Sequence, residues 1–150
     1  MVQTKEPLRI LQVLPELNEG GVERGAVEMN RELVKRGIDS YVMSKGGLLA
    51  KRIQRDGGRH VALDVCSKNP LTAPWRALSL RRVLKEIRPS ILHARSRVPA
   101  WLCRLANRSL KIPFVTTVHG INSVNRYSKV MTSGDQVICV GEPVRRHVSK

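Results

Sequence analysis

The chain has 150 residues, 41% of them hydrophobic, with 27 Lys and Arg against 12 Asp and Glu for a formal charge of +15. That is enough for one domain with a buried core, too apolar for the disordered class, and without the about 18 uninterrupted apolar residues of a spanning helix. The charge points to an anionic partner. Two Trp, two Tyr and one Phe offer few stacking platforms, and there is no zinc-finger spacing or run of five basic residues, so specific nucleic-acid binding is not expected.

Short apolar runs alternate with helical periodicity along the whole chain. Leu8 to Leu14 reads as a strand, Val22 to Arg36 as a helix, Asp39 to Met43 as a strand and Leu48 to Arg55 as a short helix. His60 to Val65 follows as a strand, Trp75 to Arg88 as a helix, Ser90 to Ala94 as a strand and Ala100 to Leu110 as a helix. Phe114 to Val118 and Gln136 to Val140 complete the strands, with a weaker helical pattern over Val124 to Met131 and a last helix from Pro143. Gly37 stands where a helix's left-handed C′ residue is wanted, Pro89 stops a helix, and Pro99 and Pro143 suit first turns.

Strands and helices in alternation imply parallel pairing through right-handed crossovers, and the Val/Ile/Leu-rich strands imply helices on both faces. The expected fold is a doubly wound α/β domain with a mostly parallel, six-stranded Rossmann-like sheet. Residues 1–150 then form one domain, without an internal linker or repeat. The N-terminus lacks the basic-then-apolar order of a secretory signal. Cys66, Cys103 and Cys139 are odd in number and widely spaced, unlike a disulfide framework or a zinc site, so a cytoplasmic setting is expected.

In such sheets ligands bind beyond the carboxyl ends of the strands. That edge receives Pro15 to Gly21, Ser44 to Gly47, Arg95 to Arg97, His119 to Asn122, and Gly141-Glu142. Gly20-Gly21 at the threshold of the first helix lets a ligand approach the backbone, where free N–H groups and the helix dipole suit a phosphate. Gly-x-Gly-x-x-Gly is absent, and no Asp or Glu ends the second strand to hold a ribose, so this is not the dinucleotide fingerprint. His119, closing the fifth strand ahead of Gly120, can donate to a sugar hydroxyl or a phosphate, or move a proton near neutral pH.

Gly20-Gly21-Val22-Glu23, His93-Ala94-Arg95-Ser96, Thr117-Val118-His119-Gly120 and Val137-Ile138-Cys139-Val140-Gly141, in this order and spacing, resemble the N-terminal domain of the family 4 glycosyltransferases of the GT-B fold. The resemblance implies retaining transfer from a nucleotide-sugar donor, with Gly20 and Gly21 near the donor diphosphate and His119 as the catalytic residue near the transferred sugar. It places the acceptor, a cell-envelope, lipid-linked or polysaccharide glycan, near Arg95, Ser96, Arg97, Asn122, Arg126 and Tyr127. It also implies a C-terminal donor-binding domain, absent from these 150 residues. The chain stops within a helical pattern at Lys150, and as a fragment it is expected to be inactive. Asp39, Asp56, Asp64 and Asp135 are isolated, with no Asp-x-Asp, so no metal or other cofactor is expected and amides, a helix dipole and cationic side chains would meet the leaving-group charge.

The helix from Trp75 to Arg88 places Ala77, Leu80, Val83, Leu84 and Ile87 on one stripe, and Trp75, Leu78, Arg81, Arg82 and Lys85 opposite. A basic face with two large apolar residues suits an anionic membrane surface; a plain solvated helix face is the alternative. For the domain as a whole, the competing function is a non-catalytic Rossmann-like module that binds an anionic ligand or partner.

Overall fold

The computed structural model describes residues 8–17, 21–64, 71–118 and 136–139. Six strands, β1 (Arg9–Val13), β2 (Asp39–Ser44), β3 (Arg59–Ala62), β4 (Ile91–Ala94), β5 (Phe114–Val118) and β6 (Gln136–Cys139), form one sheet in the order β3-β2-β1-β4-β5-β6. Every pairing is parallel. Among the described residues, four helices lie between the first five strands: α1 (Gly21–Lys35), α2 (Ala50–Arg55), α3 (Ala73–Ile87) and α4 (Arg97–Ala106).

Alternation along the strands divides the interior in two. Leu11 and Val13 of β1, with Met43, Leu92 and Ala94, pack against Leu80 and Leu84 of α3 and Ala100, Leu102, Cys103 and Ala106 of α4. On the other face Val42 joins Ala26 and Val27 of α1, Ile53 of α2 and the loop residues Leu14 and Leu17. Leu11, Leu14, Leu17, Leu80 and Leu92 are fully buried. Each such leucine contributes roughly 1.5–3 kcal/mol relative to exposure. Burial pushes the Cys103 thiol far up from its ordinary value, so it behaves as a packing residue.

The helix ends follow the punctuation. At the end of α1 the Gly37 N–H donates to the Val34 carbonyl and the Ile38 N–H to the Leu33 carbonyl, with Gly37 at φ 74°, a Schellman motif. Arg88 closes α3 at φ 52°, just before Pro89. Most bounds shift from the sequence expectation by one or two residues, and two elements differ by more. The third strand is Arg59–Ala62, and α4 runs from Arg97 to Ala106 because its first turn accommodates Pro99 while Asn107 closes the C-terminus. The Asn107 side chain donates to the Ile112 carbonyl and accepts from the Ile112 N–H, making residues 107–112 a turn in place of further helix. The patterns over Val124 to Met131 and from Pro143 lie outside the described residues.

Candidate functional site

All six strands run in one direction, so the loops leading into α1, α2, α3 and α4 leave from a single edge. There the β1–α1 and β2–α2 loops prolong the pairing of their strands. Leu14 N–H donates to the Met43 carbonyl, Lys45 N–H to Pro15, Leu17 N–H to Gly46 and Leu49 N–H to Leu17, at 2.7–3.0 Å. Gly46 and Gly47, at φ 117° and 148°, take backbone conformations that favour glycine. Ser44 Oγ accepts from the Gly46 N–H at 3.0 Å and lies 2.7 Å from His60 Nε2. Burial lowers the His60 pKa, favouring the neutral ring, whose unprotonated Nε2 can accept a hydrogen bond from the Ser44 hydroxyl. With Leu14 and Leu17 buried beneath it, the loop forms a braced shelf leading towards the N-terminus of α1.

Gly21 is the first residue of α1; Gly20 lies outside the described residues. β5 ends on the same edge at Val118, and His119 itself, with Asn122, Arg126 and Tyr127, lies outside the described residues. β4 separates β1 from β5, which sets those two strand ends two spacings, about 9–10 Å, apart. His93, fully enclosed on β4, bonds the Thr117 hydroxyl of β5 and so ties the two strands together.

Arg95 differs from the expectation of a residue facing an acceptor. It is 8% exposed and turns inward beneath α1. Its Nε donates to Gln12 Oε1 at 2.7 Å and its Nη2 approaches Met29 Sδ at 3.3 Å, while Gln12 Nε2 donates to the Ala26 carbonyl of α1 at 3.2 Å. Gly25 leaves room for the guanidinium: a Cβ there would stand 3.1 Å from Arg95 Nη1. Desolvation pulls the Arg95 pKa down to about 10, which leaves it cationic at neutral pH. Ser96 is the N-cap of α4, in extended conformation and with no side-chain capping bond; Ser96 and Arg97 are half-buried at the same edge.

On α3, Trp75 is 70% and Leu78 49% exposed, and Arg82 and Lys85 are exposed beside them. Arg81 departs from the expected outer face. It is half-buried, and its Nε is shut off from solvent without a hydrogen-bond partner, on a helix that packs along α4. No helix among the described residues is long and apolar enough to cross a membrane.

The sequence reading missed two features. Gln12, an amide in the middle of a strand buried on both faces, signalled a polar partner inside the domain. The second is a cavity of about 300 Å³ between α1 and α2, lined by Arg24, Val27, Glu28, Arg31, Leu49 and Arg52.

A parallel sheet in this order, with helix N-termini along one edge, is a Rossmann-like fold, the architecture of the N-terminal half of GT-B glycosyltransferases. A glycosyltransferase from Rickettsia africae ESF-5 matches it with a TM-score of 0.84 at 31% identity, over 97% of this chain and 40% of that one. MurG of Acinetobacter baumannii matches at 0.70 and 14% identity, over 92% and 42% of the two chains. Anabaena Alr3699/HepE, solved in complex with UDP and glucose, matches at 0.62 and 14% identity, over 77% and 31%. The Glycosyltransferase Family 4 model matches residues 19–150, and the chain belongs to that family. It spans less than half the length of these solved structures, and no curated protein matches it.

Proposed function

We infer that this domain forms one side of the cleft of a retaining glycosyltransferase that moves a sugar from a nucleotide-sugar donor to a cell-envelope, lipid-linked or polysaccharide acceptor. The observation that carries the reading is the N-terminus of α1 opening at the strand-end edge beyond a hydrogen-bonded shelf, in a chain of family 4. The free amides and positive dipole end of α1 would receive the donor diphosphate at Gly20-Gly21 and take up charge as the leaving group departs, without a metal. His119 would stand at the transferred sugar. Ser96 and Arg97, with Asn122, Arg126 and Tyr127, would face the acceptor. Arg95, by contrast, supports the site from within. The Anabaena structure, holding UDP and glucose, supports a nucleotide-sugar partner.

Addition of UDP-glucose to the purified chain is expected to slow hydrogen exchange at the first amides of α1, and Gly21→Val, which sets a side chain where the diphosphate approaches, should abolish that protection. The 150 residues alone are expected to transfer no sugar. Full exposure of those amides at saturating UDP-glucose, UDP-N-acetylglucosamine and GDP-mannose would favour the non-catalytic binding module.

The exposed face of α3 supports a peripheral position on the cytoplasmic membrane. Each basic residue held near an anionic surface contributes about 1 kcal/mol. The Arg82→Ser/Lys85→Ser pair is therefore expected to lower the partition constant for phosphatidylglycerol vesicles, read by co-sedimentation at low salt, about thirtyfold. Equal sedimentation of the pair and the parent would exclude the helix from membrane contact.

A further inference from the structure

The cavity between α1 and α2 has a composition that neither the core nor the donor edge explains. Arg24, Glu28 and Arg31 recur at helical spacing along one face of α1, and Arg52 closes the other wall from α2. Among the described residues, no hydrogen bond or ion pair engages the side chain of Arg24, Glu28, Arg31 or Arg52. Glu28 offsets part of the charge of the three guanidinium groups without pairing with any one of them, which leaves the cleft net positive. The acidic neighbour that does pair on this helix, Glu32, reaches Lys35 at 3.7 Å. Arg31 adds a second anomaly: it is half-buried, and its Nε is sealed from solvent with no acceptor. A partly desolvated guanidinium binds an anion more strongly than a solvated one, because less water must be displaced and the local dielectric is lower.

The floor of the cavity is apolar. Val27 is buried, and Leu49 packs on the same core cluster. The cavity is at the lower end of the range of about 300–1,000 Å³ seen for small-molecule sites, and larger than a bare phosphate fills. Three guanidinium forks around an apolar floor suit the tetrahedral oxygens of a phosphate ester, since arginine binds phosphate in bidentate fashion and stays charged.

We propose that the α1–α2 cleft, which begins beside the strand-end edge at Arg24 and Leu49 and runs along α1 to Arg31, is a second anion site that binds the phosphate group of a phosphate ester through Arg24, Arg31 and Arg52. The ester is either a small soluble phosphate or a phospholipid head group. Arg24 stands in the first turn of α1, where the donor reading also falls, so Arg31 and Arg52, which lie away from that turn, are the residues that separate the two sites.

Glycerol 3-phosphate titrated into the isotopically labelled chain is expected to shift the amides of residues 24–31 and 49–53 saturably. Arg52→Gln and Arg31→Gln should each weaken that response about five- to tenfold, the loss of one charge-assisted contact, and Glu28→Gln should strengthen it. Arg52 is exposed, so its variant keeps the test valid if Arg31→Gln folds poorly. Vesicles of phosphatidylglycerol in phosphatidylcholine, tested in an Arg82→Ser/Lys85→Ser background, separate the sources. Response to glycerol 3-phosphate assigns a soluble ester. Response to the vesicles alone, reduced by Arg52→Gln, assigns a head group. Indifference to both probes, or binding unchanged by Arg31→Gln and Arg52→Gln, overturns the proposal.

Discussion

Arg95→Ala is expected to lower the free energy of unfolding by about 3 kcal/mol, while Gln12→Leu/Arg95→Met restores most of that loss. The single change leaves a void beneath α1 and removes the donor that satisfies Gln12 Oε1, inside a strand whose neighbours on both sides are buried. A buried acceptor stripped of its partner costs about 1–3 kcal/mol, and the vacated volume adds to it. In the double variant both polar partners go, and two apolar side chains of similar length occupy the space. Replacing a buried polar or charged pair in this way is often neutral or stabilising, because the desolvation of the guanidinium, visible in its lowered pKa, disappears with it. Urea denaturation of the parent, Gln12→Leu, Arg95→Met and the double gives the coupling directly, with Arg95→Ala measured beside them. A loss below about 1 kcal/mol for Arg95→Ala, or additive effects in the double, would show that the Arg95–Gln12 contact does not hold α1 on the sheet. The functional consequence is separable. Since Gln12 also bonds the Ala26 carbonyl, the same pair fixes the first turns of α1, and Arg95→Ala should weaken donor protection there even at temperatures where the domain remains folded.

The fold was legible because its cues are local. Val/Ile/Leu runs bounded by Gly37 and Pro89 mark elements irrespective of what surrounds them, and strict alternation with helices leaves a parallel sheet as the remaining arrangement. The edge where the loops gather followed from topology in the same way. Arg95 was not legible, because an arginine just after a strand reads as a surface loop residue, and charges are rarely enclosed. Its burial depends on β4 lying beside β1, so that Gln12, distant in sequence, becomes its neighbour. Arg31 is a second non-local case: the packing of α2 against α1 encloses its Nε and turns that face into a cavity wall. Arg81 repeats the lesson on the opposite side of the sheet, where α3 runs along α4. Helical periodicity assigns a face, but only the neighbouring helix decides whether that face is wet.

The contact that sets the α1–α2 separation yields the second large effect: Gly58→Ala is expected to destabilise the domain by about 3 kcal/mol, and Asn30→Ala is expected to relieve part of that loss. Gly58 follows α2 and lies against the middle of α1. Its N–H and the fully buried Asn30 Nδ2 both donate to the Ile53 carbonyl, at 3.0 and 3.2 Å. A Cβ on Gly58 would sit 2.8 Å from Asn30 Cγ and closer still to its Oδ1, well inside contact distance. The Asn30 amide would have to turn away, leaving both of its polar ends buried without partners, or α2 would have to retreat from α1. Overpacking of this kind costs about 1–3 kcal/mol and a stranded amide a similar amount. Removing the Asn30 side chain opens the space and eliminates its unpaired Oδ1, so the double variant should be more stable than Gly58→Ala alone. Gly37→Ala supplies the control, because that position has φ 74° and nothing within 4 Å of an added Cβ. Its cost is backbone strain alone, about 1–2 kcal/mol. Thermal melts in which Gly58→Ala loses no more than Gly37→Ala, or in which Asn30→Ala brings no relief, would refute close packing of α2 on α1. With it would go the narrow spacing that brings Arg52 across from Arg31.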